Sequence, residues 1–333
     1  MERRLKKNSK KKQIIDKIIE TFLIIFIFLL ILKHYRFIEY LLELRCINEQ
    51  RDYLIGFCPG CKSEFLKVLN SSHTIKCALY SLDDEDTLKV LISKNSEIKV
   101  FYQNFWKVDK LIKELNKSLE NSSLLPVYSK GLMHHKFCVI DNNYVLLGSL
   151  NPTKKGFQQV NDFIVIESKT FNKKLDIIYN QLSTNPRFQQ NLLSSVFYKK
   201  IQLFDCKVEP CKKRLLYEIR NAKEKVWFAQ FLITDNDIAQ TLLEKSNKID
   251  VKGIINQNNI NLRGSDFRKL ENFTKTLKDL HLKVWIIDNK IITGSVNPSA
   301  NGFENNDELM IIISDPKVYD GYVKMFKKLY FAI

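Results

Sequence analysis

Two stretches of this 333-residue chain repeat one another at an offset of 146–151 residues. His134-His135-Lys136-Phe-Cys-Val-Ile-Asp141 leads to Gly148-Ser149-Leu150-Asn151. His281-Leu282-Lys283-Val-Trp-Ile-Ile-Asp288 leads to Gly294-Ser295-Val296-Asn297. Both reduce to H-x-K-x4-D followed by G-S-x-N. The likeness is wider than the motifs. Cys61-Lys-Ser-Glu-Phe-Leu and Ile75-Lys-Cys-Ala-Leu-Tyr-Ser match Cys211-Lys-Lys-Arg-Leu-Leu and Val226-Trp-Phe-Ala-Gln-Phe-Leu, and Gly148 through Phe157 matches Gly294 through Phe303. Two copies of a unit of roughly 140 residues follow, a size that can hold its own core.

Within each copy, helical and strand patterns alternate. Short runs rich in Val, Ile, Phe and Tyr predict strands at 74–81, 98–103, 137–140, 144–147 and 163–167, with counterparts at 225–232, 251–256, 284–287, 290–293 and 308–314. Near-continuous apolar strands imply sheets covered on both faces. Apolar residues at helical spacing predict helices at 64–69, 84–92, 106–119, 171–182, 213–222, 235–245, 267–280 and 317–331. The fold class is α/β: two mixed sheets flanked by helices and related by a pseudo-twofold, with one motif from each half meeting between them. The expected domains are 1–45 (basic tail and anchor), 46–182 (first half) and 191–333 (second half). The polar, proline-interrupted stretch 183–190 is the linker.

The chain holds only five histidines, and two fall at the matched places. The motifs resemble the phospholipase D superfamily, whose hallmark is H-x-K-x4-D in two copies, and the resemblance covers roughly residues 55–330. It implies metal-independent, cofactor-free cleavage of a phosphodiester. A neutral imidazole attacks phosphorus to give a phospho-histidine, splitting one hard step into two. The second imidazole protonates the leaving oxygen and then activates water. Lys136, Lys283, Asn151 and Asn297 stabilise the developing charge. By the same resemblance His134 is the nucleophile and His281 the acid/base, although the residues themselves leave that symmetry unbroken. In the family a carboxylate eleven residues beyond the G-S-x-N asparagine holds the imidazole. Counting gives Asp162 and Glu308, with Asp162 one methylene shorter than the usual Glu.

One H-x-K-x4-D alone could arise by chance; two copies with G-S-x-N and a spaced carboxylate argue against it. Asp141 and Asp288 end apolar strands and precede Asn, which is turn chemistry, so they read as structural, as do Gly148, Ser149, Gly294 and Ser295. His135 reads as a bystander, His73 as a loop residue and His34 as a membrane-flank residue.

The first twelve residues carry seven Lys/Arg and one Glu, and 14–32 follows as a largely apolar stretch. Nineteen residues reach across a bilayer if Asp16, Lys17 and Glu20 snorkel. No small-residue cleavage site follows, which favours an uncleaved anchor over a signal peptide, with a buried helix as a third reading. The positive-inside rule then puts the N-terminus in the cytoplasm and the body outside, at the cell membrane. The net charge of +16 suits a polyanionic partner, nucleic acid or anionic lipid, or an ordinary lysine-rich surface.

Seven cysteines include Cys58-x2-Cys61 and Cys206-x4-Cys211 at matched places. Two local disulfides, a four-thiolate zinc site and free thiols are the readings, with disulfides the simplest outside the cytoplasm. Cys77 and Cys138 fall on apolar strands and read as core. An anchored body favours a phospholipid headgroup ester as substrate. Compact halves and basic charge suit an endonuclease, for which the cluster Phe101, Tyr102, Phe105 and Trp106 would offer stacking surfaces unless it is core. A phosphatidyl transferase of cardiolipin-synthase type differs only in the acceptor. A scaffold that has lost activity fits poorly with two intact motif sets. One chain carries both half-sites, so a monomer suffices.

Overall fold

A computed structural model describes residues 47–49, 53–94, 96–114, 123–185 and 196–333. The expected anchor at 14–32 and most of the expected linker lie outside them. Among the described residues no helix is long and apolar enough to cross a membrane.

The duplication is visible in the topology. The first sheet contains β1 (Ile47–Glu49), β2 (Tyr53–Cys58), β3 (Ile75–Leu79), β4 (Glu97–Phe101), β5 (Ser123–Val127), β6 (Lys136–Ile140), β7 (Tyr144–Gly148) and β8 (Asn161–Glu167). The second contains β9 (Val196–Tyr198), β10 (Ile201–Asp205), β11 (Lys225–Gln230), β12 (Asp250–Asn256), β13 (Thr274–Leu277), β14 (Lys283–Ile287), β15 (Lys290–Gly294) and β16 (Leu309–Ile313). The strand orders are β1-β2-β8-β7-β6-β3-β4-β5 and β9-β10-β16-β15-β14-β11-β12-β13. Adding eight to every label of the first converts it into the second. Within each sheet three strands run parallel (β3-β4-β5, β11-β12-β13) and the rest pair antiparallel.

Alternation along the strands gives each sheet two buried faces. Leu146, Phe163 and Val165 join Phe65 and Leu88 from helices Lys62–Asn70 and Glu85–Ser93 in the first core. Ile292, Met310 and Ile312 join Leu215 and Leu242 in the second. The opposite faces, with Val145, Ile164, Ile291 and Ile311, are equally buried, and the sheets meet there through β7 and β15. Each half closes with a long helix that reaches across the boundary. Helix Lys169–Gln181 packs on β3, β6, β7 and β9, and helix Pro316–Ala332 packs on β14, β15 and β2. Tyr322 of the latter meets Phe57 of β2 edge-on at 5.0 Å.

The structure departs from the expected elements where tertiary pairing outweighs pattern. Residues 267–280 keep helical apolar spacing, yet only Phe267–Leu270 is α-helix. A 3-10 turn (Glu271–Phe273) follows, and β13 then pairs parallel with β12 in register Gly253↔Thr274. Thr274 and Thr276 are β-branched and fit a pleated edge. The expected helix at 106–119 begins earlier, as Tyr102–Glu114. Edge strands β1, β5 and β9, and β2 and β10 beside them, carry too little alternation to be read in advance.

All six described cysteines are paired. Cys58–Cys61 and Cys206–Cys211 each tie a strand end to the helix that follows, at equivalent places of the two halves. Cys77 and Cys138, expected as core, are buried there and are also bonded to each other. The cause is register: the two residues lie directly opposite on antiparallel β3 and β6 with Cα atoms 4.1 Å apart. At the same cross-strand position the second half places Phe228 against Trp285, rings 5.4 Å apart.

A bridge stabilises chiefly by restricting the unfolded chain, and the Cys77–Cys138 bridge spans 61 residues against 3 and 5 for the others. Loop-closure entropy makes that worth about 4 kcal/mol against about 2 for the local bridges. Replacing Cys77 and Cys138 together by alanine is therefore expected to lower unfolding free energy about twice as much as replacing Cys58 and Cys61. Urea unfolding of the two double variants measures it.

Candidate functional site

The two motifs enter from equivalent places. His134 and His281 lie two residues before the first residue of β6 and β14, and Lys136 and Lys283 open those strands; His134 and both lysines are buried and His281 is partly buried. Each lysine Nζ donates to the carbonyl of its own histidine, at 2.8 Å for Lys136 and 2.7 Å for Lys283. Each also lies over an aromatic ring, Lys136 at 5.2 Å from Tyr80 and Lys283 at 5.3 Å from Phe231. The same rings meet the imidazoles edge-on, both at 4.9 Å between centroids.

The G-S-x-N segments follow β7 and β15. Gly294 has φ +139°, and a Cβ there would lie 2.2 Å from the Leu309 carbonyl oxygen, so only glycine lets β15 close on β16. The asparagines then enter a repeated N-P-(T/S) turn. Thr153 and Ser299 cap short helices Lys154–Gln158 and Ala300–Glu304 through the amides of Gly156 (2.8 Å) and Gly302 (3.1 Å). The side-chain oxygens of Asn151 and Asn297 are both buried with no hydrogen-bond partner. Two orphaned polar atoms at equivalent places are what a site built for a polar ligand leaves open.

The halves exchange support across their boundary. The residue before His134 forms a parallel bridge with Asp307, and the residue before His281 forms one with Val160. His134 donates its amide to the Asp307 carbonyl at 3.0 Å, and His281 donates to that of Val160 at 2.9 Å. Advancing each register by one sets His134 opposite Glu308 and His281 opposite Asn161. The side chains follow: His134 Nδ1 lies 2.8 Å from Glu308 Oε1, and His281 Nδ1 lies 2.8 Å from Asn161 Oδ1.

Asp162 is thus not the residue that holds His281. Asp307 and Asn161 are equivalent in the repeat, yet Asp307 pairs where Val160 does on the other side. The two crossings differ by one residue, and successive side chains on a strand point to opposite faces. Asp162 is turned into the boundary instead. Its Oδ1 accepts from Ser149 Oγ (2.5 Å) and the Ser149 amide (3.1 Å), and its Oδ2 accepts from Thr293 Oγ1 and the Tyr322 hydroxyl, both at 2.7 Å. It clamps the halves together. Asn161, Thr293, Tyr322, Tyr80 and Phe231 were not singled out from the sequence, since their part arises from pairing between the halves.

The hallmark aspartates lie at the opposite ends of their strands. Asp141 and Asp288 take positive φ (48° and 50°) in the turns after β6 and β14. Their carboxylates accept backbone amides of His73 and Thr74, and of Lys223, Glu224 and Lys225. They fasten the loops entering β3 and β11, and those hydrogen bonds hold both below the ordinary aspartate range against the opposing effect of burial. His135 is buried, packs on Phe137 at 5.3 Å, and is pushed down to about 4 by burial.

Burial and mutual repulsion shape the charge of the site. Burial, then Lys136 and Lys283, hold His134 well below the ordinary histidine value. Burial, then Lys283, Lys136 and His134, do the same to His281. Lys136 is driven well down by burial, and Lys283 to about 7. Burial raises Glu308 to about 7, with Lys136 opposing. Two imidazoles and two lysines crowd a space that would welcome an anion.

The chain matches, over residues 65–183 and again over 215–330, the family described as "Cardiolipin synthase, PLD-like domain". A mitochondrial cardiolipin hydrolase of Chlamydomonas reinhardtii is 28% identical over 141 residues, 38% of this chain and 63% of that protein. The match thus spans a little under two thirds of that relative. A phospholipase D of Rickettsia bellii is 25% identical over 147 residues, 42% of this chain and 73% of that one. Among solved structures, a phosphatidylserine synthase of Haemophilus influenzae Rd KW20 shares the fold, with a TM-score of 0.66 at 12% identity over 89% of this chain and 90% of that one.

Asp162→Ala leaves the Ser149, Thr293 and Tyr322 hydroxyls without their buried acceptor and is expected to lower unfolding free energy by about 3 kcal/mol or more in urea titrations. Glu308 has a folded pKa raised from 4.5 to about 7. The folded state therefore holds a proton that the unfolded chain releases, and the stability this confers is present below pH about 4.5 and lost as pH rises through about 7. Glu308→Gln is expected to gain on the wild type by up to about 3 kcal/mol between pH 5 and pH 8, read from urea midpoints at the two pH values.

Proposed function

The chain belongs to the phospholipase D-like family, and from that membership and the geometry of the site we propose that it is a metal-independent phosphodiester hydrolase working through a phospho-histidine. One observation carries the reading: two imidazoles, each held at Nδ1 by an acceptor from the opposite half, share one buried space with two lysines. Holding Nδ1 leaves Nε2 of each ring to do chemistry.

His134 Nε2 attacks phosphorus. The leaving oxygen takes a proton from His281 Nε2 as its bond to phosphorus breaks. His281, now neutral, accepts a proton from water, which attacks the phospho-histidine and frees His134. Glu308 orients His134 and offsets the positive charge that the phosphorylated ring acquires. Lys136, Lys283, Asn151 and Asn297 stabilise the oxygens around phosphorus. An incoming phosphate also lowers the penalty that keeps both lysines depressed, so charge and ligand arrive together.

The leading substrate is a phospholipid headgroup ester. The chain's likeness to a cardiolipin hydrolase and to a phospholipase D supports it, as does the apolar stretch at 14–32, which would anchor the chain at the cell membrane with the N-terminus cytoplasmic and the body outside. A second reading, a membrane-tethered endonuclease, draws on the net charge of +16. Phosphatidyl transfer needs only an alcohol in place of water.

The full chain in phosphatidylglycerol or phosphatidylcholine vesicles with EDTA is expected to release headgroup, and His134→Ala and His281→Ala are each expected to lose about 10³-fold or more. Phosphate should be trapped on His134 in the His281→Ala variant. Cleavage of labelled single-stranded oligonucleotide alone, lost in both variants, favours the endonuclease; activity surviving His134→Ala overturns the mechanism.

A further inference from the structure

The structure assigns Asn161 as the positioning residue of His281, and we infer that this neutral amide gives the second half-site a more acidic histidine than the carboxylate-held His134 of the first. The orientation of the amide is fixed by its other neighbours. Asn161 Nδ2 lies 2.8 Å from the Gly156 carbonyl oxygen, which can only accept. Oδ1 must therefore face His281 Nδ1 at 2.8 Å; the single Ser149 hydroxyl proton is taken by Asp162 at 2.5 Å. Two acceptors cannot face one another, so His281 carries a proton on Nδ1 and presents Nε2 to the site.

An amide oxygen sets this tautomer as firmly as a carboxylate does, but it brings no negative charge to balance an imidazolium. The ionisable groups acting on the His281 ring are Lys283, Lys136 and His134, all bases. The backbone of Ser149 acts the other way, more weakly. Phe231 covers one side with an apolar ring. The carboxylate one residue on, Asp162, is engaged by four donors and makes no hydrogen bond to the ring. Glu308 serves His134. The two half-sites thus differ in the one group that decides how readily each ring takes a second proton. A weakly basic His281 gives up its proton easily to a leaving alkoxide, and it is charged only toward acid pH or beside a bound phosphate.

This deepens the reading of His281 as acid/base, and its catalytic arm rests on that reading; the titration of the ring does not. The test uses the full chain in detergent micelles with imidazole nitrogens labelled by 15N. Wild-type His281 is expected to show a protonated Nδ1 and to titrate well below the ordinary histidine value. Asn161→Asp is expected to raise its pKa by at least about one unit, since an opposite charge at this distance shifts a group by about 1–3 units. With phosphatidylglycerol vesicles, the alkaline limb of kcat/KM should move upward by the same amount. Asp162→Asn should lower Tm and leave the His281 titration in place, as a residue with a purely structural part does. A proton on Nε2 in the neutral wild-type ring, or a wild-type His281 titrating at or above about 6.5, overturns the inference even if Asn161→Asp fails to fold. So does an equal shift in Asp162→Asn. Absence of any hydrolysis by the wild type counts against the proposed function alone.

Discussion

Everything at the centre of this protein depends on two short crossings between its halves. Each is a single parallel bridge, and each delivers one side chain to the imidazole of the opposite half. Each histidine takes its Nδ1 partner from the opposite half. Buried donors and acceptors must be paired, so the sheets are forced into one relative placement in which His134 finds Glu308 and His281 finds Asn161. Asp162 reinforces that placement from the other face of β8 by taking hydroxyls from both halves. Supporting groups and reacting groups are drawn from the same boundary, so a change in how the sheets pack is felt at once as a change in chemistry.

The site shows how a compact assembly of bases can remain uncharged until it is needed. Burial is the largest influence on His134, His281, Lys136 and Lys283, and the two lysines further oppose the charging of both imidazoles. Such an arrangement is unfavourable for folding taken alone, and it stands because the surrounding sheets are buried on both faces.

Much of this was legible in the residues. The duplicated motifs name His134, Lys136, Asn151, His281, Lys283 and Asn297, and the structure brings the two histidines and two lysines together between sheets of matching order. Asp141 and Asp288 read as turn residues, and they sit in turns. The errors share a cause. Counting eleven residues from Asn151 reaches Asp162, but which neighbour faces His281 is set by a one-residue difference in register between elements far apart in the chain. The strand within 267–280 and the bond between Cys77 and Cys138 likewise follow from partners brought alongside, which spacing along one segment cannot reveal.

Equivalent positions of the two halves have not stayed alike. Tyr80 stands where the other copy has Phe231, a disulfide stands where the other has Phe228 against Trp285, and Asn161 stands where the other has Asp307. A symmetric homodimer built from one such unit would stamp every substitution on both sides of its active centre simultaneously. Joining the copies in one polypeptide lifts that bond: each side can mutate alone, so one histidine is free to specialise while its twin keeps its original surroundings.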